Sequence, residues 1–268
     1  MGITYNIDNE KFTFDFEHDG VDDIINLTGK GYQVKAFGQC FHYAYEFADD
    51  VTGSVRSAFI KYLKFPPTSL RQQPELTQFI QRAIDNLHHK INLYDYDLVV
   101  TPESSSDVNE YMLRYIYRFA QPMMRQIQLI KALPENVSFD MDGYEQRWLN
   151  GKLDNGRPRY TEAQKEQVRQ SIDEMVELIH KKEYFTIAKD VKKARLRPYI
   201  TRFLKFEDPK DEKLLASIHS NNVLVIDDIA TSGSTMNEVM RALRVMNEDN
   251  KITIFSLIGR QDLMAESI

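Results

Sequence analysis

The chain has 268 residues, enough for one large domain or a core with an appendage, and its 42% apolar and 11% aromatic residues can furnish that core. A net charge of −6 gives no general reason to expect a nucleic-acid partner, while leaving room for a local basic patch. The single Cys40 excludes an intrachain disulfide and a cysteine zinc cluster; with no secretory leader visible and no run near the ~20 apolar residues of a membrane span, the expectation is a cytoplasmic protein.

In chain order, Lys11–Phe16 alternates as a half-buried strand does, and the aromatic stretch Phe37–Phe47 reads as helix or strand. Pro66-Pro67 breaks the pattern. Pro74–Leu87 predicts an amphipathic helix with Leu76, Phe79, Ile80, Ala83, Ile84 and Leu87 on its apolar face. Residues 1–90 are therefore expected to form an N-terminal extension or hood, and 91–268 the core. Tyr96–Val100 reads as a strand, Thr101–Ser106 as a loop, and Val108–Phe119 as a helix capped by Ser106 or Asp107. Arg125–Lys131 is the next strand.

Residues 132–195 are long, polar and rich in turn residues. Within them, Thr161 begins a T-x-x-Q capping pattern for a helix to His180, with Val168, Ile172, Met175, Val176 and Ile179 on one side. Lys192–Arg197 is the densest basic run, either a solvated strip or a phosphate contact. Pro198–Phe206 alternates like a strand, and Leu214-Leu215 belongs to a helix. Ile252–Ile258 is the last strand. The order β-α-β-insertion-β-α-β-α-β predicts an α/β fold: a doubly wound, mostly parallel, Rossmann-like sheet with an N-terminal extension and a helical insertion. The histidines form no H-x-x-x-H or H-E-x-x-H pattern, and no G-x-S-x-G elbow occurs.

The chemistry concentrates in Val223–Thr235. Val223–Ile226 is a buried strand, Asp227 and Asp228 stand at its end, and a small-residue loop opens into a helix carrying Val239, Met240 and Leu243 on one face. A tight loop at a helix N-terminus points N–H groups at an anion, and the hydroxyls of Thr231, Ser232, Ser234 and Thr235 add donors. Two carboxylates would repel a bare phosphate, but they suit the vicinal diol of a sugar whose phosphate lies in the loop. The ligand so described is a ribose 5-phosphate. The lysine of a Walker loop and a G-x-G-x-x-G fingerprint are both absent.

This segment resembles the motif that binds phosphoribosyl pyrophosphate (PRPP) in the type I phosphoribosyltransferases. The match is tight over Ile226–Thr235, while the rest of the chain follows the family by order of elements only. The resemblance implies that Asp227 and Asp228 hold the ribose 2- and 3-hydroxyls and are the catalytic pair. It further implies that Ala230, Thr231, Ser232, Gly233, Ser234 and Thr235 hold the 5-phosphate. Ser104, Ser105 and Ser106 match the family's pyrophosphate loop by position, or are an ordinary serine-rich helix start. Lys131 either approaches PRPP or is a solvated strand end. Glu103 either faces Mg²⁺ or points away.

The implied reaction transfers ribose 5-phosphate from PRPP to an acceptor such as a nucleobase, with Mg²⁺ brought by PRPP, and Asp227 and Asp228 are candidates to hold it. Residues 132–195 stand where the family has a mobile loop, and are expected to act as a lid, a substrate selector or a homodimer contact. The alternatives are a non-catalytic PRPP- or nucleotide-binding regulator and an effector protein built on the same fold.

Overall fold

The computed structural model describes residues 2–6, 11–16, 25–36, 39–48, 51–104, 106–151, 157–217, 221–229 and 233–259. Strands β1 (Gly2–Asn6) and β2 (Lys11–Asp15) pair antiparallel as a small separate sheet. The alternation in Lys11–Phe16 is that of β2, which buries Phe12 and Phe14. Strands β3 (Ile25–Ala36) and β4 (Gln39–Phe47) follow as an antiparallel pair. The aromatic stretch is thus strand from Gln39 onward. Phe41, Tyr43, Ala44 and Tyr45 are all buried, as in a strand covered on both faces.

Helix α1 (Gly53–Lys64) starts at Thr52, whose hydroxyl accepts from the Val55 N–H. Helix α2 (Pro74–His88) has proline in its first turn and buries all six residues of the expected apolar face. Next come β5 (Leu98–Pro102), α3 (Val108–Ile116) and β6 (Arg125–Lys131). The 132–195 stretch holds β7 (Ser138–Phe139), α4 (Met141–Tyr144), a π-helical turn at Glu145–Leu149, α5 (Glu162–His180) and α6 (Ile187–Asp190). The expected capping box at Thr161 and Gln164 opens α5. The chain closes with β8 (Ile200–Thr201), β9 (Leu204–Phe206), α7 (Pro209–Ser217), β10 (Asn222–Ile229), α8 (Ser234–Met246) and β11 (Lys251–Gly259).

The main sheet has seven strands in the order β3-β4-β11-β10-β5-β6-β9. Its five central strands run parallel, and β3 and β9 are antiparallel edges. The fold is therefore α/β with a mixed, mostly parallel sheet. One face packs on α1, α2 and α3 through Leu224, Ile226 and Phe255. The other packs on α5, α7 and α8 through Val223, Val225 and Ile254. The first of these cores joins Ile3, Phe12, Phe59 and Phe79 to Val99 and Leu224, so apolar contact runs without a break across position 90.

Pro198–Phe206 does not form the single strand its alternation predicts. Pro198 lies in a 3-10 turn (Ala194–Tyr199), and Arg202 takes a left-handed φ of 60°. That residue turns the chain from β8, paired with β7, to β9, paired antiparallel with β6. Among the described residues no helix is long and apolar enough to cross a membrane.

Candidate functional site

The sheet order reverses direction between β5 and β10. From β5 the chain crosses through α3, on one face, to β6. From β10 it crosses through α8, on the other face, to β11. In open α/β sheets ligands bind in the crevice that such a reversal leaves outside the carboxyl ends of the strands. Here the two ends carry Ser104 and Ser106 after β5, and Asp227 and Asp228 at the end of β10.

β10 is buried from Val223 to Ile229 between β11 and β5, so both carboxyls enter a dry environment. Asp228 is 1% exposed. By the period of two it follows Leu224 and Ile226 onto the face covered by α1–α3. Its Oδ2 accepts from the Ser104 hydroxyl at 3.0 Å and from the Ser106 hydroxyl at 3.1 Å. Its Oδ1 lies 3.3 Å from Nζ of Lys64, the last residue of α1. Three donors therefore converge on one buried carboxylate, two from the serine loop and one from the N-terminal helix.

Asp227 is also buried, and its Oδ1 accepts from the Asp228 backbone N–H at 3.0 Å. Burial, and next the neighbouring charge of Asp228, hold its carboxyl well above the usual carboxylate range. Lys64, the Asp228 N–H and Asn109 oppose that shift. The pair is thus divided by environment. Asp228 is bonded to a cation and two hydroxyls, while Asp227 tends to keep its proton.

Beyond β10, Gly233 stands at the N-cap of α8 with φ 67° and ψ −1°, a left-handed conformation that suits a residue without a Cβ. Ser234 is buried and Thr235 half-buried in the first turn, where N–H groups stand outside the helical ladder. Of the expected phosphate-loop residues, Ala230, Thr231 and Ser232 lie outside the described residues, as does Ser105 of the serine loop.

The structure also places the flanking candidates. Asp107 occupies the N-cap position of α3 but makes no side-chain capping bond, and the Ser106 hydroxyl is directed to Asp228. Glu103 points away from the acid pair. Its Oε2 accepts from the Lys131 backbone N–H at 2.8 Å, and its own N–H donates to Leu129 O. Lys131 is exposed at the end of β6, and no bond between its ammonium and the acid pair occurs among the described residues. In the basic run, Lys192, Lys193 and Arg195 are exposed, while Arg197 donates through Nε to Val191 O. Lys64 and Asn109 were not legible in advance. Each stands in a helix with no local motif, and only packing brings them to β10.

Whether the acid pair suits a resident metal ion can be read from its donors. Among the described residues no three His, Cys, Asp or Glu side chains gather around a point that could hold an ion. Both oxygens of Asp228 are already engaged by Ser104, Ser106 and Lys64. Mg²⁺ favours a near-octahedral set of oxygens, so the chain as arranged does not fit a resident ion.

The helical insertion packs into the second core of the molecule. Ile172 and Ile179 of α5 are buried in the same core as Val225 and Met236. Trp148 donates from Nε1 to the Tyr199 hydroxyl at 3.0 Å, and Tyr144 meets Tyr199 edge-on.

No family model and no curated protein matches the chain. Among solved structures it is similar to a hypoxanthine phosphoribosyltransferase from Staphylococcus aureus, at 11% identity and a TM-score of 0.34. The match covers 69% of this chain and 66% of that one, just under two thirds of the other protein's length.

Proposed function

We propose that this chain is a phosphoribosyltransferase that moves ribose 5-phosphate from PRPP to an acceptor nitrogen, of a nucleobase or related compound, and releases pyrophosphate. The observation that carries the reading is the meeting, at the reversal point of the sheet, of the acid pair of β10 with the serine loop of β5, immediately before the left-handed Gly233 that opens α8. In this reading the first turn of α8, with Ala230, Thr231, Ser232, Gly233, Ser234 and Thr235, binds the 5-phosphate. Asp227 and Asp228 take the ribose hydroxyls. Ser104, Ser105 and Ser106, with Lys131, form the pyrophosphate side, and Ser104 and Ser106 reach the ligand by giving up Asp228.

The bond from ribose C1 to the pyrophosphate oxygen breaks, a bond from C1 to the acceptor nitrogen forms, and the acceptor loses one proton. The chain contributes position and field: it holds the sugar at both ends, and the Asp228 carboxylate favours positive charge developing at C1. Mg²⁺ enters with the pyrophosphate as part of the substrate. In this reading the insertion acts as a lid or an acceptor selector.

One observation favours a second reading, a PRPP-binding regulator. Asp228 is held by Ser104, Ser106 and Lys64, contacts that join three elements and require no turnover. Incubation with PRPP, Mg²⁺ and a panel of bases separates the two. Pyrophosphate release that depends on one base supports the transferase. PRPP binding without release under every base supports the regulator, and no PRPP binding refutes both.

A further inference from the structure

We propose that the insertion carries a docking surface for single-stranded RNA, formed by Lys189, Lys192, Lys193 and Arg195 together with Arg147 and the exposed ring of Tyr184. This surface does not use the acid pair and holds whatever reaction that site performs.

Charge is unevenly spread along the chain. Residues 181–205 hold nine lysines and arginines against two acids, a net +7, where the whole chain carries −6. The local fold turns these cations outward. Phe185, Val191 and Leu196 are buried in the second core, and Phe185 meets Phe203 edge-on. Between these anchors Lys189, Lys192, Lys193 and Arg195 are all exposed. Two ties fold the stretch on itself: Lys182 pairs with the Asp190 carboxylate, and Arg197 Nε donates to Val191 O at 2.8 Å. The first tie neutralises Asp190, which leaves Glu183 as the exposed acid of the stretch. The π turn adds Arg147, also exposed. Burial raises the Tyr144 and Tyr199 hydroxyls; Arg195 opposes the rise at Tyr144, and Trp148 and then Arg147 oppose it at Tyr199. Those two rings meet edge-on with centroids 5.2 Å apart, so Arg147 and Arg195 share one neighbourhood.

Exposed cations hold a single phosphate weakly, because water screens each pair. Several together suit a polyanion, whose neutralisation releases condensed counterions at every contact. Tyr184 narrows the class. It is 77% exposed in the loop that Lys182 and Asp190 close. An exposed ring among cations is a stacking platform for an unpaired base, whereas a duplex keeps its bases stacked on each other. A lipid surface would instead call for an amphipathic helix with an apolar face beside its cations. Here the cations stand on a 3-10 turn and on the four-residue helix α6. Unpaired bases along a phosphate backbone are what proteins ordinarily recognise in RNA loops and ends.

The test is fluorescence anisotropy with the full chain and a labelled single-stranded oligouridylate about 20 nucleotides long, with neither PRPP nor a base present. Binding is expected at about 50 mM salt and should fall with salt at a log–log slope of about −2 to −3, from ~0.7 per phosphate contact. Lys192→Glu with Lys193→Glu is expected to weaken it tenfold or more. Lys210→Glu with Lys213→Glu, the same charge change on exposed lysines of α7, is expected to leave it within about twofold of wild type. Tyr184→Ala is expected to weaken it about fivefold or more. Absence of binding at low salt overturns the proposal, as does an equal loss in the α7 pair or no loss in Tyr184→Ala. Tighter binding to an RNA duplex or to anionic vesicles overturns it in favour of those partners. If the Lys192 and Lys193 variant does not fold, the salt slope of the wild type decides, and a slope near zero overturns the proposal. Failure here leaves the transferase reading untouched, since that reading is judged by pyrophosphate release.

Discussion

At the scale of single residues, the site depends on giving two adjacent carboxyls different work. Replacing either one by its amide, Asp227→Asn or Asp228→Asn, is expected to lower base-dependent pyrophosphate release by roughly one to three decades, the scale of a lost electrostatic contact to a transition state. Steady-state turnover with PRPP checks this.

Asp227 also sets a pH dependence. Its carboxyl is raised from the ordinary 3.8 by burial and by Asp228, so the native chain holds a proton that the unfolded chain has lost. Stability from this group is therefore complete below 3.8 and declines as pH rises through the folded value. The urea midpoint of Asp227→Asn relative to wild type should accordingly increase from weakly acid to neutral pH and beyond; a constant difference would refute the assignment. His42 acts in the opposite sense in both chains. Burial and Lys90 push its imidazole below 6.5, so its contribution is lost as pH falls through 6.5, and the comparison cancels it.

Gly233 has a φ of 67°, where a side chain is strained. Gly233→Val is expected to cost about 1–2 kcal/mol of stability by urea titration. It should also weaken ribose 5-phosphate binding by about tenfold or more, the equivalent of ~1.4 kcal/mol.

At the scale of elements, the insertion carries the expectation of movement. Its polar composition and turn residues, in the place where the resembled family has a mobile loop, make residues 140–159 the segment in which movement is expected. Met141–Leu149 there forms a helix and a π turn, with Tyr144 and Leu149 buried, and residues 152–156 lie outside the described residues. Trp148, the chain's one tryptophan, is held by Tyr199. Tyr199→Phe should remove the acceptor of the indole N–H and cost about 1 kcal/mol. It should also shift the Trp148 emission, read by fluorescence in a urea titration. Unchanged emission would mean that the pair is not formed in solution. The proposed lid role predicts in addition that saturating PRPP changes the same emission and slows proteolysis of the window. A purely structural insertion would show neither response.

At the scale of the whole molecule, the seven-stranded sheet draws on both sides of the expected boundary at 90. β4 pairs with β11 from Cys40 to Glu46, and Tyr45 of β4 stacks on Phe79 of α2 and donates its hydroxyl to Phe79 O at 2.7 Å. A fragment of residues 91–268 would leave β11 as a bare hydrophobic edge and strip α1 and α2 from one face of the sheet. It is expected to lack a cooperative thermal transition by circular dichroism, while the full chain shows one. A fragment that melts cooperatively would show that residues 91–268 fold as a unit of their own.

The sequence by itself determined what local chemistry controls. The 3.6-residue period of Leu76–Leu87, the capping pattern at Thr161, the apolar run of β10 and its terminal acids were legible because neighbours in the chain set them. The α/β class followed from their order. Tertiary structure alone decided which strand neighbours which, that the aromatic stretch from Gln39 belongs to the main sheet, and that Arg202 divides an alternating run between two sheets. It also brought Lys64 and the serine loop onto Asp228. Those contacts join residues far apart in sequence, and no local pattern marks a lysine at the end of a helix as the partner of a buried carboxylate. The reason is physical: periodicity reports which face of an element is buried, whereas the partner of a buried charge is set by the packing of elements around it.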